Sequence, residues 1–129
     1  MKTNKIVIII LGLIMLVSSC SSDDFDLNPE YPTEIINSWL ESYEEDYGVY
    51  RPSDYKTFPD SHYRQYFKFM ENNKCEYLVL SPVDAHYIEN GFWEFIEDDN
   101  SIHIYNQNME LHRTLKVVSI SSNHFQIGH

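Results

Sequence analysis

From about residue 60 to the C-terminus, apolar and polar side chains alternate with a period of two. That period marks half-buried strands, because neighbouring side chains on an extended backbone leave on opposite faces. Tyr63, Gln65, Phe67 and Phe69 share one face, against Arg64, Tyr66, Lys68 and Met70. Asn72-Asn73 follows, a pair that tolerates the left-handed backbone of tight hairpins. Lys74 to Leu80 resumes the pattern, with Cys75, Tyr77 and Val79 on one face. Ser81-Pro82 ends it, since proline cannot donate to a ladder. Asn90-Gly91 reads as a turn. Phe92 to Glu97, Ser101 to Tyr105, Glu110 to Ile120 and His124 to Ile127 read as further strands. Asp98-Asp99-Asn100, Asn106-Gln107-Asn108 and Ser121-Ser122-Asn123 are the turns between them. In the longest strand, Leu111, Leu115 and Val117 fall near one face, with Val118 and Ile120 on the other.

Short strands separated by polar turns roughly every 8–12 residues predict an all-β antiparallel meander. A single small sheet would leave one face wet; closing it into a barrel or half-barrel buries that face and removes the edges. The 15% aromatic content suits a pleated, half-buried surface. With 129 residues the chain holds one such domain. Its net charge of −11, with nine basic residues against twenty acidic, argues against nucleic acid as a partner. Phosphate contacts need a basic patch, and no Lys/Arg cluster exists.

The first twenty residues are of a different kind. Lys2 and Lys5 precede a twelve-residue run, Ile6 to Val17, without a polar side chain. As a helix this run spans roughly 18 Å, short of the ~30 Å of a hydrocarbon core. A charged leader, a short apolar stretch and small residues describe a secretory signal. Val17-Ser18-Ser19-Cys20 resembles the lipobox of bacterial lipoproteins. The resemblance implies cleavage between Ser19 and Cys20 and a diacylglyceryl group on the Cys20 thiol. Membrane is then a partner through that lipid, and the protein belongs to the cell envelope. Ser21 rather than Asp follows the cysteine, with Asp23-Asp24 soon after, which points to the outer membrane. The expected organisation is a signal peptide over 1–19, a lipidated acidic tether over 20–32 and a β domain over 33–129. Between Cys20 and Tyr50 stand nine acidic residues and no basic ones, a charge that repels anionic head groups. Cys75 is left without an internal disulfide partner and is expected to be a buried apolar residue.

Thr33 to Tyr47 is open to two readings. Ile36, Trp39 or Leu40, Tyr43 and Tyr47 fall at helical spacing, and Thr33 could cap a helix. A strand over the same residues alternates less cleanly. Trp39, Ser42, Glu44-Glu45-Asp46, Val49-Tyr50-Arg51-Pro52, Tyr55, Phe58-Pro59 and Ser61 resemble the blocks of a small uncharacterised family of bacterial proteins. Gly91-Phe92-Trp93 matches a further strand of that family, and Val117-Val118-Ser119 echoes another. His62 stands where the family pattern has Arg. The resemblance implies a lipocalin-like barrel and a strand over Ser38 to Asp46. It implies no activity.

Candidate chemistry is sparse. Glu44, Glu45 and Asp46 with Arg51 and Arg64 form the most concentrated polar set. Were one carboxylate to point into the barrel, an Arg pair would make it a polar plug or a ligand anchor; otherwise the set is a structural ion pair. Adjacent carboxylates carry no cross-cleft geometry for glycoside hydrolysis. Six histidines contain no His-x-x-x-His motif, although Asp84 and His86 could lie near Asp60 and His62. No Gly-x-Ser-x-Gly elbow supports a nucleophilic serine. Asp98-Asp99-Asn100 offers too few oxygens for calcium. No catalytic residue, metal site or cofactor is expected. Trp39, Tyr43, Tyr63, Phe67, Tyr77 and Trp93 are candidates to line an apolar or sugar site, though a small barrel needs aromatics for its own core. The leading expectation is a non-enzymatic binding domain for a small apolar or sugar ligand or a protein. The alternative is a purely protein-interacting module, an inhibitor or accessory subunit, with a hydrolase third.

Overall fold

The computed structural model describes residues 30–61, 63–81, 83 and 85–129. Within them the chain forms eight strands: β1 (Asn37–Glu41), β2 (Val49–Pro52), β3 (Tyr66–Phe69), β4 (Lys74–Val79), β5 (Tyr87–Ile96), β6 (Ser101–Tyr105), β7 (Leu111–Ile120) and β8 (Phe125–Gly128). They close into an antiparallel barrel in the order β1-β2-β8-β7-β6-β5-β4-β3. The expected all-β, lipocalin-like barrel is therefore the fold. The meander runs from β3 to β8, and the β1–β2 hairpin closes it. That hairpin is inserted with β1 against β3 and β2 against β8.

The interior is solid. Trp39, Tyr50, Phe67, Phe69, Tyr77, Trp93, Ile102, Ile104, Leu115 and Phe125 are each at most 1% exposed. Burying a large apolar side chain contributes about 1.5–3 kcal/mol, so these residues dominate the fold's stability. Phe69 meets Trp93 edge-on at 5.3 Å, and Trp39 and Phe125 pack at 5.5 Å. Both indoles bury their ring with its N–H satisfied: Trp39 donates to the Ile35 carbonyl and Trp93 to the Met70 carbonyl, each at 2.9 Å. Trp39, Phe67 and Trp93, expected as candidates to line a ligand site, pack into this core instead, and Tyr77 packs at its edge. One end is plugged by the segment leading into β1. A single 3-10 turn, Thr33–Ile35, drives Ile35 in among Phe95, Ile102, Val117 and Ile120, where no water-sized space is left. Tyr31 stacks edge-on against Trp93 at 4.9 Å beside it.

Three local expectations are corrected. The open segment at residues 33–47 is one 3-10 turn followed by β1, which stops at Glu41; Ser42 to Asp46 is a turn, not strand. Helical spacing there loses to ladders on both sides of β1. Asn90-Gly91 is not a turn but the middle of β5. Glycine is needed there because a Cβ would run into the Tyr105 carbonyl oxygen and press on the Tyr77 ring. Ile120 does not share a face with Val118. The register shifts between Val117 and Ser119, leaving Val118 outside and setting Ile120 opposite the buried Phe125.

The remaining turns follow the sequence reading. Asn72, Asn73 and Asn100 adopt positive φ, as does Met109 in the β6–β7 turn. Outward positions carry charge, as in the Lys68–Glu76 pair across β3 and β4 at 3.6 Å. An apolar interior with a charged exterior reverses the pattern of a membrane-spanning barrel. No helix among the described residues is long and apolar enough to cross a membrane.

Gly91→Ala is expected to lower stability by about 1–3 kcal/mol through overpacking, read as a drop in the urea midpoint. Cys75 is buried and its thiol is pushed up to about 12, first by burial and then by Glu76. In a Cys20→Ser chain it is expected to stay inert to a thiol reagent until the protein is denatured.

Candidate functional site

β2 and β3 run in the same direction on either side of β1, so no tight turn can join them. Residues 53–65 instead cross from the plugged end of the barrel to the other. The polar set singled out in the sequence fastens this crossover. Glu45 receives Arg51 as a fork, Nη2 on Oε1 at 2.7 Å and Nε on Oε2 at 3.0 Å. The buried Ser42 donates its hydroxyl to Glu45 Oε2 at 2.7 Å and accepts from Lys56 Nζ at 2.8 Å. Arg64 Nη1 meets both Glu44 oxygens, at 3.0 and 2.9 Å, and the Glu41 carbonyl at 2.6 Å; Nη2 reaches the Pro59 carbonyl at 2.8 Å. Lys56 lies 3.7 Å from Glu44 and 3.4 Å from Glu45, tying the two pairs together.

Aromatic faces complete the brace. The Arg64 guanidinium sits 4.8 Å from the Tyr43 ring centroid and 5.3 Å from that of Phe58; Arg51 lies 4.7 Å from Tyr55. Tyr43 also donates to Ser61 Oγ at 2.7 Å. Glu44, Glu45, Arg51 and Arg64 are thus brought together, but on a turn beyond β1 and against the crossover. Neither carboxylate points into the barrel. Asp46 stands apart and accepts the Tyr47 N–H at 2.7 Å. Arg51, Ser42 and Lys56 hold the Glu45 carboxyl down to about 2 against the opposing effect of burial. At Glu44 burial pushes upward, yet the Arg64 bond and the nearby Lys56 leave the carboxyl lowered.

A second set of polar groups gathers at the end of the barrel opposite the plug; Tyr63 and Tyr77 are expected lining candidates, while Glu41, Gln65, His112 and Arg113 were missed in the sequence. Glu41 closes β1 two residues beyond Trp39, on the inner face, and accepts the Gln65 N–H at 3.1 Å. Tyr63 donates to the Gln65 amide oxygen, whose nitrogen donates to the Leu78 carbonyl at 3.3 Å. From β7 comes Arg113, opposite the buried Ile104, its guanidinium 5.6 Å from the Phe67 ring centroid. The register shifts here too: Ile104 pairs with Arg113 but Tyr105 with Leu111, so His112 is the extra residue. This bulge turns the His112 ring onto Tyr77, centroids 4.4 Å apart and planes at 23°.

The Tyr77 hydroxyl is buried and has no hydrogen-bond partner among the described residues. Leaving such a group unpaired costs about 1–3 kcal/mol, an unusual expense in a packed core. Burial first, then Glu89, raises the Tyr77 phenol to about 12. Burial and then Glu41 raise Tyr50 and Tyr63, with Arg113 opposing, so all four groups share one electrostatic neighbourhood. Arg113 makes no ion pair or hydrogen bond among the described residues, unlike Arg51 and Arg64. The signal for this set was legible as parity: Arg113 lies on the face of Leu115 and Val117, and Glu89 on that of Gly91 and Trp93.

Cys20, Ser19 and the tether up to residue 29 lie outside the described residues, as do His62 and Asp84 of the suggested metal set. Among the described residues, no group of three or more His, Cys, Asp or Glu is placed to hold a metal ion. Asp98-Asp99-Asn100 forms an ordinary turn, with Asp99 accepting from Ser101 Oγ at 2.6 Å. No protein-family model matches the chain, and no match is found among curated proteins or solved structures.

A carboxyl depressed in the folded state contributes stability above its unfolded value, near 4.5, and loses that contribution as pH falls towards 2. Glu45→Gln is expected to cost about 1 kcal/mol at pH 7 and to leave a barrel whose urea midpoint falls less between pH 5 and pH 2.5 than that of the parent.

Proposed function

We propose that this protein is a lipid-anchored, non-enzymatic binding module of the bacterial envelope, held at the outer membrane through Cys20. The lipobox-like Val17-Ser18-Ser19-Cys20 and the apolar run before it support the anchor. Acyl chains contribute about 0.8 kcal/mol per buried CH₂, so two or three of them hold a soluble domain firmly. The binding role rests on one observation. The chain enters the barrel through the plug at Tyr31 and Ile35, and the end bearing Glu41, Tyr77, His112 and Arg113 is the opposite one. A solid interior argues against a ligand enclosed as in a hollow carrier, and leaves the open end as the working surface.

The alternative reading, a protein-interaction module, draws on the rim of the same end. Leu80, Val83, Tyr87, Ile88, Met109 and Leu111 are exposed there, between 44% and 81%. Exposed apolar residues grouped around one end suit a protein partner.

Detergent phase partitioning of the full-length protein, expressed in a Gram-negative host, tests the anchor. The wild type is expected in the detergent phase with a mass above that of the bare chain from Cys20. Cys20→Ser is expected in the aqueous phase. Recovery of the wild type as an unmodified aqueous protein would sink the proposal.

A further inference from the structure

We infer that β5 offers an open sheet edge on which a basic, extended segment of a partner protein adds a strand. This deepens the protein-interaction reading given above and rests on it. β5 is ten residues long, yet β6 pairs only with its second half, from Phe92 to Ile96. The first half, Tyr87 to Gly91, is laddered to β4 alone. In an antiparallel sheet a residue sends its N–H and its C=O to the same side, and the side alternates along the strand. The Trp93 carbonyl faces β4, where the Asn73 amide donates to it at 3.1 Å. Asn90 and Ile88 therefore turn their N–H and C=O the other way, where no strand lies beside them among the described residues.

Water satisfies these groups in the free protein, so the edge demands no ligand. What marks it is the lack of protection. Sheets blunt an open edge with a bulge, a basic side chain or a proline. The first half of β7 shows this: β8 pairs no further than Lys116, and the edge beyond carries the His112 bulge and Arg113. β5 has no such device. Its ladder to β4 runs without a register shift, it holds no Lys, Arg or Pro, and Tyr87 and Ile88 stand exposed along it. Open space adjoins this edge. A cleft of about 480 Å³ is lined by Asn90, Gly91 and Phe92, by Met70 and Lys74, and by Gln107 of the β6–β7 turn. Added strands are held by main-chain bonds and selected by pockets for alternate side chains. Met70 and Phe92 suit an apolar side chain in the cleft, and Lys74 disfavours a basic one there.

Charge chooses the partner. Between Lys74 and Arg113 the sequence has eight acidic residues and no Lys or Arg. Glu89 lies on the open half itself, and Glu110 closes the neighbouring β6–β7 turn, its carbonyl accepting the Asn106 N–H at 2.9 Å. A second copy pairing edge to edge would bring two such acidic walls together. An acidic segment would meet the same repulsion. A segment that alternates basic and apolar residues gains from both the charge and the cleft.

The test is an amide-resolved NMR titration of the chain from residue 20 carrying Cys20→Ser. Three capped octapeptides are the probes. One alternates Lys and Val, one alternates Glu and Val, and the third is the Lys/Val peptide with its four central backbone nitrogens methylated, so that neither edge can donate. The Lys/Val peptide is expected to shift the amides of Ile88 and Asn90, to slow their hydrogen exchange, and to bind with a Kd below about 1 mM at low salt. Methylation is expected to weaken binding about tenfold or more, as are Ile88→Lys and Asn90→Pro in the protein. Asn90→Pro removes an N–H that no strand of the barrel uses, so the ladder to β4 persists; Ile88→Lys changes only an exposed side chain. Unchanged amide dispersion away from β5 reports the fold of both. Absence of shifts along Tyr87 to Gly91, equal binding of the methylated peptide, tighter binding of the Glu/Val peptide, or a dimer that protects Ile88 and Asn90 overturns the inference. Detergent partitioning of the wild type reads the anchor separately. An anchored protein that ignores the peptides defeats the edge alone; peptide binding by an unanchored protein defeats the envelope reading and leaves the edge standing.

Discussion

Two neighbours of one strand that run in the same direction cannot be linked by a hairpin, and this constraint organises the molecule. β1 stands between β2 and β3, so thirteen or so residues must travel the length of the barrel to connect them. Among its described residues the crossover buries no apolar side chain fully; Tyr55, Phe58 and Tyr63 stay exposed or half-buried. It is held by charge instead: Glu45 with Arg51, Glu44 with Arg64, and Lys56 between them. Such pairs are weak singly when exposed, but here the geometry is bidentate, Ser42 beneath is buried, and aromatic rings back both guanidinium groups.

This explains the cluster of acidic, basic and aromatic residues between 39 and 64. Trp39, Ser42, Glu44, Glu45, Arg51, Tyr55 and Phe58 all serve the closing of the barrel or the fastening of its crossover. A block of residues that reads as a candidate site in the sequence is a clasp in three dimensions. Gly48, at φ +72°, completes the turn, and a Cβ there would meet the Ile127 carbonyl of β8.

Much of the barrel was legible in the sequence because its signal is local. Phe67 and Phe69, Cys75 and Tyr77, Ile102 and Ile104, and Phe125 and Ile127 alternate cleanly and are the inner face. What escaped was what depends on a partner strand. Asn90-Gly91 carries the same letters as a hairpin turn, yet the glycine is there to admit the Tyr105 carbonyl. The insertion of β1 between β2 and β3 is a pairing choice with no local marker. Bulges at His112 and Val118 shift the period by one, which hid the inward swing of His112 and Ile120. The open end was overlooked for a related reason: Glu41, Glu89 and Arg113 sit on the apolar face by parity, but beyond the last layer of core.

The plug has a mechanical meaning as well. Tension arriving from the N-terminal side would pass through Ile35 directly into β1. That strand is laddered to β2 through Trp39, Leu40 and Glu41, and to β3 through Asn37 to Leu40. A pull along its axis loads both ladders in shear, so their hydrogen bonds must fail together rather than unzip one by one. The first strand is thereby a firm point at which this domain could be held, with β8 sharing the load only through β2.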